Sequence, residues 1–178
     1  MKKILMSVYV LLLTTSSGIG QKNRPVYSAG PAILIPTYSQ IKSPGLGFGL
    51  KVDFKPHKKL SFVSDIGINA FNGDIVNQFT NKIVKGLIIM PVLAGVKWSA
   101  SKNLYFAGLA GVAFGLENAG TNFSLSPGMG YLLKFGGKRM ADLGLRLTGV
   151  LPKTSIPENT FLEKGGYSFL SLRLAYQF

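Results

Sequence analysis

The only histidine of this 178-residue chain, His57, is the first side chain to weigh as a catalytic group. A Ser-His-acid triad or a histidine-bound metal would require it beside a nucleophile or further ligands. It lies instead in a basic turn with the sequence Lys-Pro-His-Lys-Lys, and the chain has no cysteine. Thiol catalysis, disulfides and cysteine-bound metals are therefore excluded. We predict no catalytic residue, no metal site and no cofactor, with a lipid-modifying enzyme as one alternative.

Charged residues recur at every second position on the face of predicted strands that also carries glycine. Leu46, Phe48 and Leu50 alternate with Gly47, Gly49 and then Lys51, a period of two that is typical of a β-strand with two unlike faces. The same parity in the other strands predicts an inward charge network. Its members are Lys51, Asp53, Asp65, Lys85, Lys97, Glu117, Lys134, Asp142, Arg146 and Arg173.

The lengths of the short turns predict which of these charges face each other. They place Lys134 opposite Asp142, Lys85 opposite Glu117, and Lys51 diagonal to Asp65. Opposite charges across neighbouring strands stabilise a sheet modestly, but inside a narrow barrel an unpaired charge costs several kcal/mol, so pairing is expected. For strands that close into a narrow barrel, the favoured interpretation is an interior filled with paired side chains. A polar pathway that conducts ions is the alternative.

These charges need strands to position them, and the chain offers eight segments of strand character. They run at Val26–Pro36, Gly45–Lys55, Leu60–Phe71, Val84–Trp98, Leu104–Glu117, Leu125–Gly136, Met140–Val150 and Tyr167–Phe178. No segment is apolar over the length that a membrane helix needs. The alternation therefore predicts an all-β chain: an eight-stranded antiparallel transmembrane β-barrel.

The connections between the segments alternate in length. Those at 55–59, 99–103 and 137–139 are short, whereas those at 72–83, 118–124 and 151–166 are longer on average and richer in Asn, Thr, Gly and Pro. Short turns on one side and longer loops on the other are typical of outer-membrane barrels. Aromatic residues near the strand ends predict interfacial girdles. They are Phe54, Phe62, Trp98, Phe106, Phe135 and Phe178 on the short-turn side, and Phe71, Phe114 and Phe161 on the other.

The amino terminus has the pattern of a secretory signal. Lys2 and Lys3 precede the apolar run Ile4–Leu13, and small residues at Gly18 and Gly20 fit cleavage after Gly20. We expect residues 1–20 to be a cleaved signal peptide and 21–178 to be the barrel domain. The apolar run is too short to span a bilayer.

The formal charge of +13 raises the question of nucleic-acid binding. The lysines and arginines are scattered or grouped in turns, no recognition helix is visible, and the aromatic residues follow strand spacing. Nucleic acid is therefore not a predicted partner. A basic balance suits contact with an anionic lipid surface.

The last predicted strand, Tyr167–Phe178, ends the chain on an aromatic residue. With its final Tyr176-Gln177-Phe178, the eight alternating segments, the signal peptide and the segment Met90–Trp98, the chain resembles the small outer-membrane β-barrel proteins of the OmpA/OmpX type and the PorT-like barrel-domain family. The resemblance implies a place in a Gram-negative outer membrane, contact with its lipid, and assembly by the barrel-assembly machinery. It also implies that this machinery recognises Leu172, Leu174, Tyr176 and Phe178.

The resemblance indicates where the protein is located but says little about its role. The longest connection, 151–166, contains Pro152 and Pro157, and loops on a rigid scaffold are where recognition resides. We predict a structural or interaction role through the surface loops, with an extracellular or envelope protein as partner. A narrow ion or small-solute channel is the first alternative and a lipid-modifying enzyme the second. A soluble lipocalin-like barrel, the rival fold, would instead turn its bulky apolar face inward.

Overall fold

A computed structural model of the chain describes residues 25–38, 43–76, 83–115, 120–135, 139–151 and 166–178. The predicted signal peptide, most of the long connections, and Glu117 and Phe161 lie outside these ranges. None of the described residues forms a helix long and apolar enough to cross a membrane. The described strands are β1 (Val26–Tyr38), β2 (Gly45–Phe54), β3 (Leu60–Val76), β4 (Ile83–Ser99), β5 (Leu104–Gly115), β6 (Thr121–Phe135), β7 (Arg139–Val150) and β8 (Tyr167–Gln177).

Each strand pairs antiparallel with the next, and β8 pairs with β1 to close the barrel. Closure gives every strand two partners and removes the free sheet edges that would otherwise invite aggregation. The predicted eight-stranded antiparallel barrel is confirmed. All the described short turns and the carboxyl-terminal Phe178 lie at one end, which we call the short-turn end; the opposite end is the long-loop end.

The two faces of the wall differ sharply in composition. Large apolar side chains point outward, as at Leu46, Phe48 and Ile68, which are more than half exposed. Serines, glycines and charged side chains point inward together with a smaller set of apolar side chains, and Asp53, Ser124 and Ser126 are fully buried. The rival lipocalin-like arrangement, which needs the bulky apolar face inside, is thus excluded. An outward apolar band of this kind suits contact with hydrocarbon.

The strand register differs from the predicted one at all three short turns. Phe54 pairs with Phe62 rather than Leu60, and Trp98 pairs with Phe106 rather than Leu104. At the third turn Phe135 pairs with Arg139, where the sequence predicted Gly136 with Met140. At each turn, a residue pairs with a partner two positions away from the predicted one. Because side chains alternate between the two faces of a strand, each residue keeps its predicted face while its cross-strand partner changes.

β3 and β4 are longer than the sequence predicts, and β6 begins four residues earlier than predicted. β3 and β4 each have 17 residues, and their pairing continues to Val76 and Ile83 beyond an irregularity between Phe71 and Asp74. Opposite that irregularity, Gly86 has φ of 86°, a conformation that glycine adopts without strain. The polar residues beyond Phe71 hid this extension, because they interrupt the apolar alternation.

Four prolines lie within the described strands, and three of them interrupt the pairing locally. The pairing has a gap at Pro31 between β1 and β8, at Pro91 between β3 and β4, and at Pro127 between β6 and β7. A proline has no N–H to donate to the ladder, so a gap beside each ring is expected. Each of the three strands keeps an uninterrupted ladder on its other side.

Candidate functional site: the barrel interior

The interior has two layers, and the first is charged and lies toward the short-turn end. Its centre is Asp65 of β3, whose Oδ2 accepts hydrogen bonds from Arg146 Nη2 at 2.9 Å and Arg173 Nη1 at 2.8 Å. The arginines come from β7 and β8, on the opposite wall. One buried carboxylate therefore ties three strands together through two charge-assisted bonds, which are stronger than neutral ones.

A second carboxylate, Asp142 of β7, binds two further side chains from the opposite wall. Lys51 of β2 donates to its Oδ2, and the Tyr105 hydroxyl of β5 donates to its Oδ1 at 2.6 Å. Lys51 and Asp142 are both almost fully buried. With both oxygens engaged, this carboxylate meets the condition under which a buried ion pair avoids a large desolvation cost.

The third pair, Lys97 of β4 with Asp53 of β2, lies closest to the short-turn end and is also buried. Tyr105 connects it to the rest of the layer. Its ring lies beneath both the Lys97 and the Lys51 ammonium groups, with centroid distances of 4.9 and 5.2 Å. Cation–π contacts of this kind become stronger when the partners are desolvated. We call Lys51, Asp53, Asp65, Lys97, Tyr105, Asp142, Arg146 and Arg173 the charged layer.

Inward glycines leave the space that the long side chains of this layer occupy. A Cβ on Gly130 would lie 2.3 Å from the Tyr105 hydroxyl, and one on Gly49 would lie 2.7 Å from Arg173 Nη1. Glycine at these two positions therefore makes room for Tyr105 and Arg173 inside a tightly curved barrel. Gly108, by contrast, lies on the outer surface.

The structure brings together seven of the predicted inward charges and Tyr105, which the sequence did not single out. β5 is apolar on both faces, so its parity was ambiguous, and Tyr105 stands near its predicted start. The strand register, which puts Tyr105 opposite Ser99, gives it the inward parity of Lys97. That register, and the inward parity predicted for Glu117 on the same predicted strand, are the signals that could have identified it.

Lys134 is not a member of the charged layer, whereas Glu117 and the side chain of Lys85 lie outside what the structure describes. Lys134 is exposed and pairs with Met140, whereas Leu132 pairs with Asp142, so the predicted Lys134–Asp142 pairing is wrong. Lys85 pairs with Asp74 in the extended hairpin, and Glu117 lies outside the described residues. The third expectation is corrected as well: Lys51 lies directly opposite Asp65, not diagonal to it. The corrections for Lys134 and Lys51 both follow from the two-residue change of register at their turns.

The second layer of the interior is apolar and lies toward the long-loop end. Phe71 and Phe169 meet edge to face with ring centroids 5.3 Å apart, and both are almost fully buried. Phe71 was predicted to join an interfacial girdle, but its odd position in β3 turns it inward, so that prediction is wrong. We call the cluster of Ala32, Leu34, Phe71, Leu87, Ile89, Ala113, Val150, Tyr167 and Phe169 the apolar layer.

A small cavity of about 50 Å³ lies within the barrel, between parts of the two layers. Its walls include Lys51, Asp65, Arg146 and Arg173 from the charged layer and Phe169 from the apolar one. A water molecule takes up about 30 Å³ of liquid, so this space suits one or two water-sized species rather than an organic substrate. The cavity is far smaller than an ordinary ligand pocket of about 300–1,000 Å³.

The structure places His57 away from the charged layer. It lies exposed in the turn between β2 and β3, where its Nδ1 accepts a long, 3.5 Å contact from the Lys59 N–H. Within the described residues, no group of three or more His, Cys, Asp or Glu side chains is arranged to hold a metal ion.

Aromatic side chains ring the outside of the short-turn end. Trp98 and Phe106 stack at 6.1 Å between ring centroids, and Phe178 stacks on Tyr27 at 6.2 Å. Phe178 also exchanges backbone hydrogen bonds with Tyr27 across the closing seam, at 2.9 and 3.3 Å. Every second residue at the end of the chain points outward, namely Leu172, Leu174, Tyr176 and Phe178. Leu172 is 44% exposed, and the other three are half exposed or more.

Comparison with known proteins finds similarity at the level of structure. No protein-family model and no curated protein matches the sequence. Among solved structures, Ail, the attachment invasion locus protein of Yersinia pestis, superposes with a TM-score of 0.55 and 14% identity, over 86% of this chain and 97% of Ail.

Two further structures of Ail give the same result. Its complex with the heparin analogue sucrose octasulfate matches at a TM-score of 0.54 and 13% identity, over 89% of this chain and all of that one. Its backbone structure in a phospholipid nanodisc matches at 0.51 and 14%, over 88% of this chain and all of that one. The PorT-like relationship stays a prediction. By its strand number, pairing and outward apolar face, this chain has the fold of the eight-stranded outer-membrane β-barrels of the Ail/OmpX type.

Proposed function

We propose that this protein is an exported outer-membrane barrel whose interior is closed and whose work is done by the loops at its long-loop end. One observation carries the proposal: the interior is occupied by a charged layer and an apolar layer in series. A barrel filled in this way has no evident route for solutes, which leaves its outer surfaces for function. The outward apolar wall and the Ail-type fold support the location.

Both layers oppose ion passage, each by a different physical effect. In the charged layer, cations and carboxylates are held by one another, so an entering ion would have to displace an existing pair. In the apolar layer, an ion would lose its hydration without receiving polar ligands, which is strongly unfavourable. The two effects add, because any path along the barrel axis crosses both layers.

The long-loop end offers the larger surface for a partner. The β3–β4 hairpin extends there to Val76 and Ile83, past the residues that close the interior. Ail, which shares this fold, is named for attachment and invasion and has been crystallised with a heparin analogue. We extend to this chain only the general role, binding of a partner or surface by loops on a closed barrel.

Deletion of residues 155–163 is expected to abolish surface binding while the barrel still assembles. The test uses cells that display the full chain or the deletion variant, and measures their retention on immobilised heparin and on a panel of extracellular matrix proteins. A shift in migration between heated and unheated samples on a denaturing gel reports assembly. Full retention by the assembled deletion variant on every surface that retains the parent would refute a role for this loop.

Export and assembly form a second part of the proposal. We infer that residues 1–20 direct export and that the assembly machinery recognises the outward residues at the end of β8, with Phe178 foremost. Removing Phe178 deletes little buried area, since its side chain is 68% exposed. We therefore expect a large loss of assembled protein in outer-membrane fractions but little change in the unfolding midpoint of barrel refolded in vitro. Equal losses in both measurements would point to a purely structural residue.

A further inference from the structure

The charged layer does not balance its own charge. Four cations, Lys51, Lys97, Arg146 and Arg173, meet three carboxylates, Asp53, Asp65 and Asp142, within the described residues. Lys97 and Lys51 each have a carboxylate of their own. The two arginines share Asp65, so one positive charge in this layer has no counter-charge.

The surplus is localised at Arg173. Its Nη1 binds Asp65 at 2.8 Å, whereas its Nη2 is buried and has no hydrogen-bond partner among the described residues. An unsatisfied donor on a charged group is costly inside a protein. Arg173 borders the cavity of about 50 Å³ through atoms other than the sealed Nη2, and Arg146, Lys51, Asp65 and Asp142 border the same cavity. Three of the four cations of the layer therefore border a space that can hold a small species.

We propose that this cavity binds one small monovalent anion, of the halide class, as the counter-ion of the surplus charge. Arg173, Arg146 and Lys51 supply the positive potential at the cavity, and Asp65 and Asp142 on its wall offset part of it. The volume accommodates a monatomic anion with about one water molecule, given a share of about 30 Å³ for each water. A polyatomic anion such as phosphate would carry more charge than the surplus and would not fit with its hydration shell.

The proposed anion site lies inside the barrel, whose closed interior is part of the function proposed above. A closed interior does not by itself require a bound anion. Neutralising the surplus would let the layer remain buried without deprotonating a lysine. The anion would then be a structural component of the folded barrel. Its binding would appear as stabilisation that depends on the type of anion rather than on ionic strength.

The test compares thermal unfolding midpoints in sodium chloride and in sodium gluconate at equal ionic strength, for purified barrel in detergent. The parent is expected to unfold about 3 °C higher in chloride. Arg173→Gln, which removes the surplus charge, should lose the difference, while Arg173→Lys, which keeps the charge, should retain part of it. An equal chloride effect in Arg173→Gln, or no effect in the parent, would overturn the proposal.

Crystals of the parent grown in sodium bromide give a second measurement that needs no variant to fold. Anomalous scattering is expected to show one bromide beside the Arg173 guanidinium. Bromide only at surface lysines, with water beside Arg173, would refute the site. This outcome differs from a failure of the closed interior, which ionic current through the barrel would reveal whether or not bromide is bound.

Discussion

Replacing Asp65 by asparagine is expected to destabilise the barrel by about 3–5 kcal/mol, the range for removing one partner of a buried ion pair. Asp65 is the carboxylate that holds both Arg146 and Arg173, so the substitution leaves two guanidinium groups without a counter-charge. Asparagine keeps the size and an acceptor oxygen, and the effect is therefore one of charge. Loss of the cross-barrel tie between β3, β7 and β8 should follow.

Urea unfolding of the barrel in lipid vesicles, followed by the heat-modifiable shift on a gel, measures this loss. Lys134→Gln is the matched control, because it also removes one charge, from an exposed lysine that was predicted to face inward. We expect the control to change stability by less than about 0.5 kcal/mol. If the two variants were equally stable, the charged layer would contribute nothing to folding.

A charge on the middle of the outer wall is expected to have the next largest effect. Leu145 lies midway along β7, faces outward, and has Met129 and Leu172 as neighbours on the adjoining strands. Leu145→Arg should cost about 2–4 kcal/mol in a bilayer, the range for a cation at the membrane midplane of a barrel. The same side chain in water would cost little.

Leu60→Arg provides the matched control for position along the wall. Leu60 is also an outward leucine, but it begins β3 at the short-turn end, where we expect a cost of about 0–1 kcal/mol. Reversible unfolding in vesicles compares the two variants. Equal and small costs at both positions would show that the apolar wall is not embedded in lipid.

The faces of the strands could be predicted from the sequence, whereas the partners of the interior side chains could not. The face that a side chain occupies depends only on whether its position along the strand is odd or even. A register change of two residues, as at the turn beside Phe54, leaves that face unchanged. The partners of Lys51 and Asp65 depend on which walls meet across the barrel. Asp142 reaches Lys51 from β7 to β2, and no turn length carries that information.

The apolar layer was missed for a related reason. Phe71 stands where a girdle residue would stand, near the end of the predicted third strand, and only its parity reveals that it points inward. Tyr105 was hidden by a strand that is apolar on both faces. For both residues, the side-chain type and the position in the strand indicated different faces of the barrel wall. The closed barrel shows that both side chains point inward.

The closed interior is tested most directly by recording current from the purified, fully assembled parent barrel in a planar lipid bilayer. Two occupied layers in series predict no channel openings above the background of the bare membrane, in chloride or in gluconate. A porin of established conductance, reconstituted in the same membrane, is the positive control. Steady, ion-selective openings from the parent barrel would contradict the closed interior and would assign the protein a channel function instead.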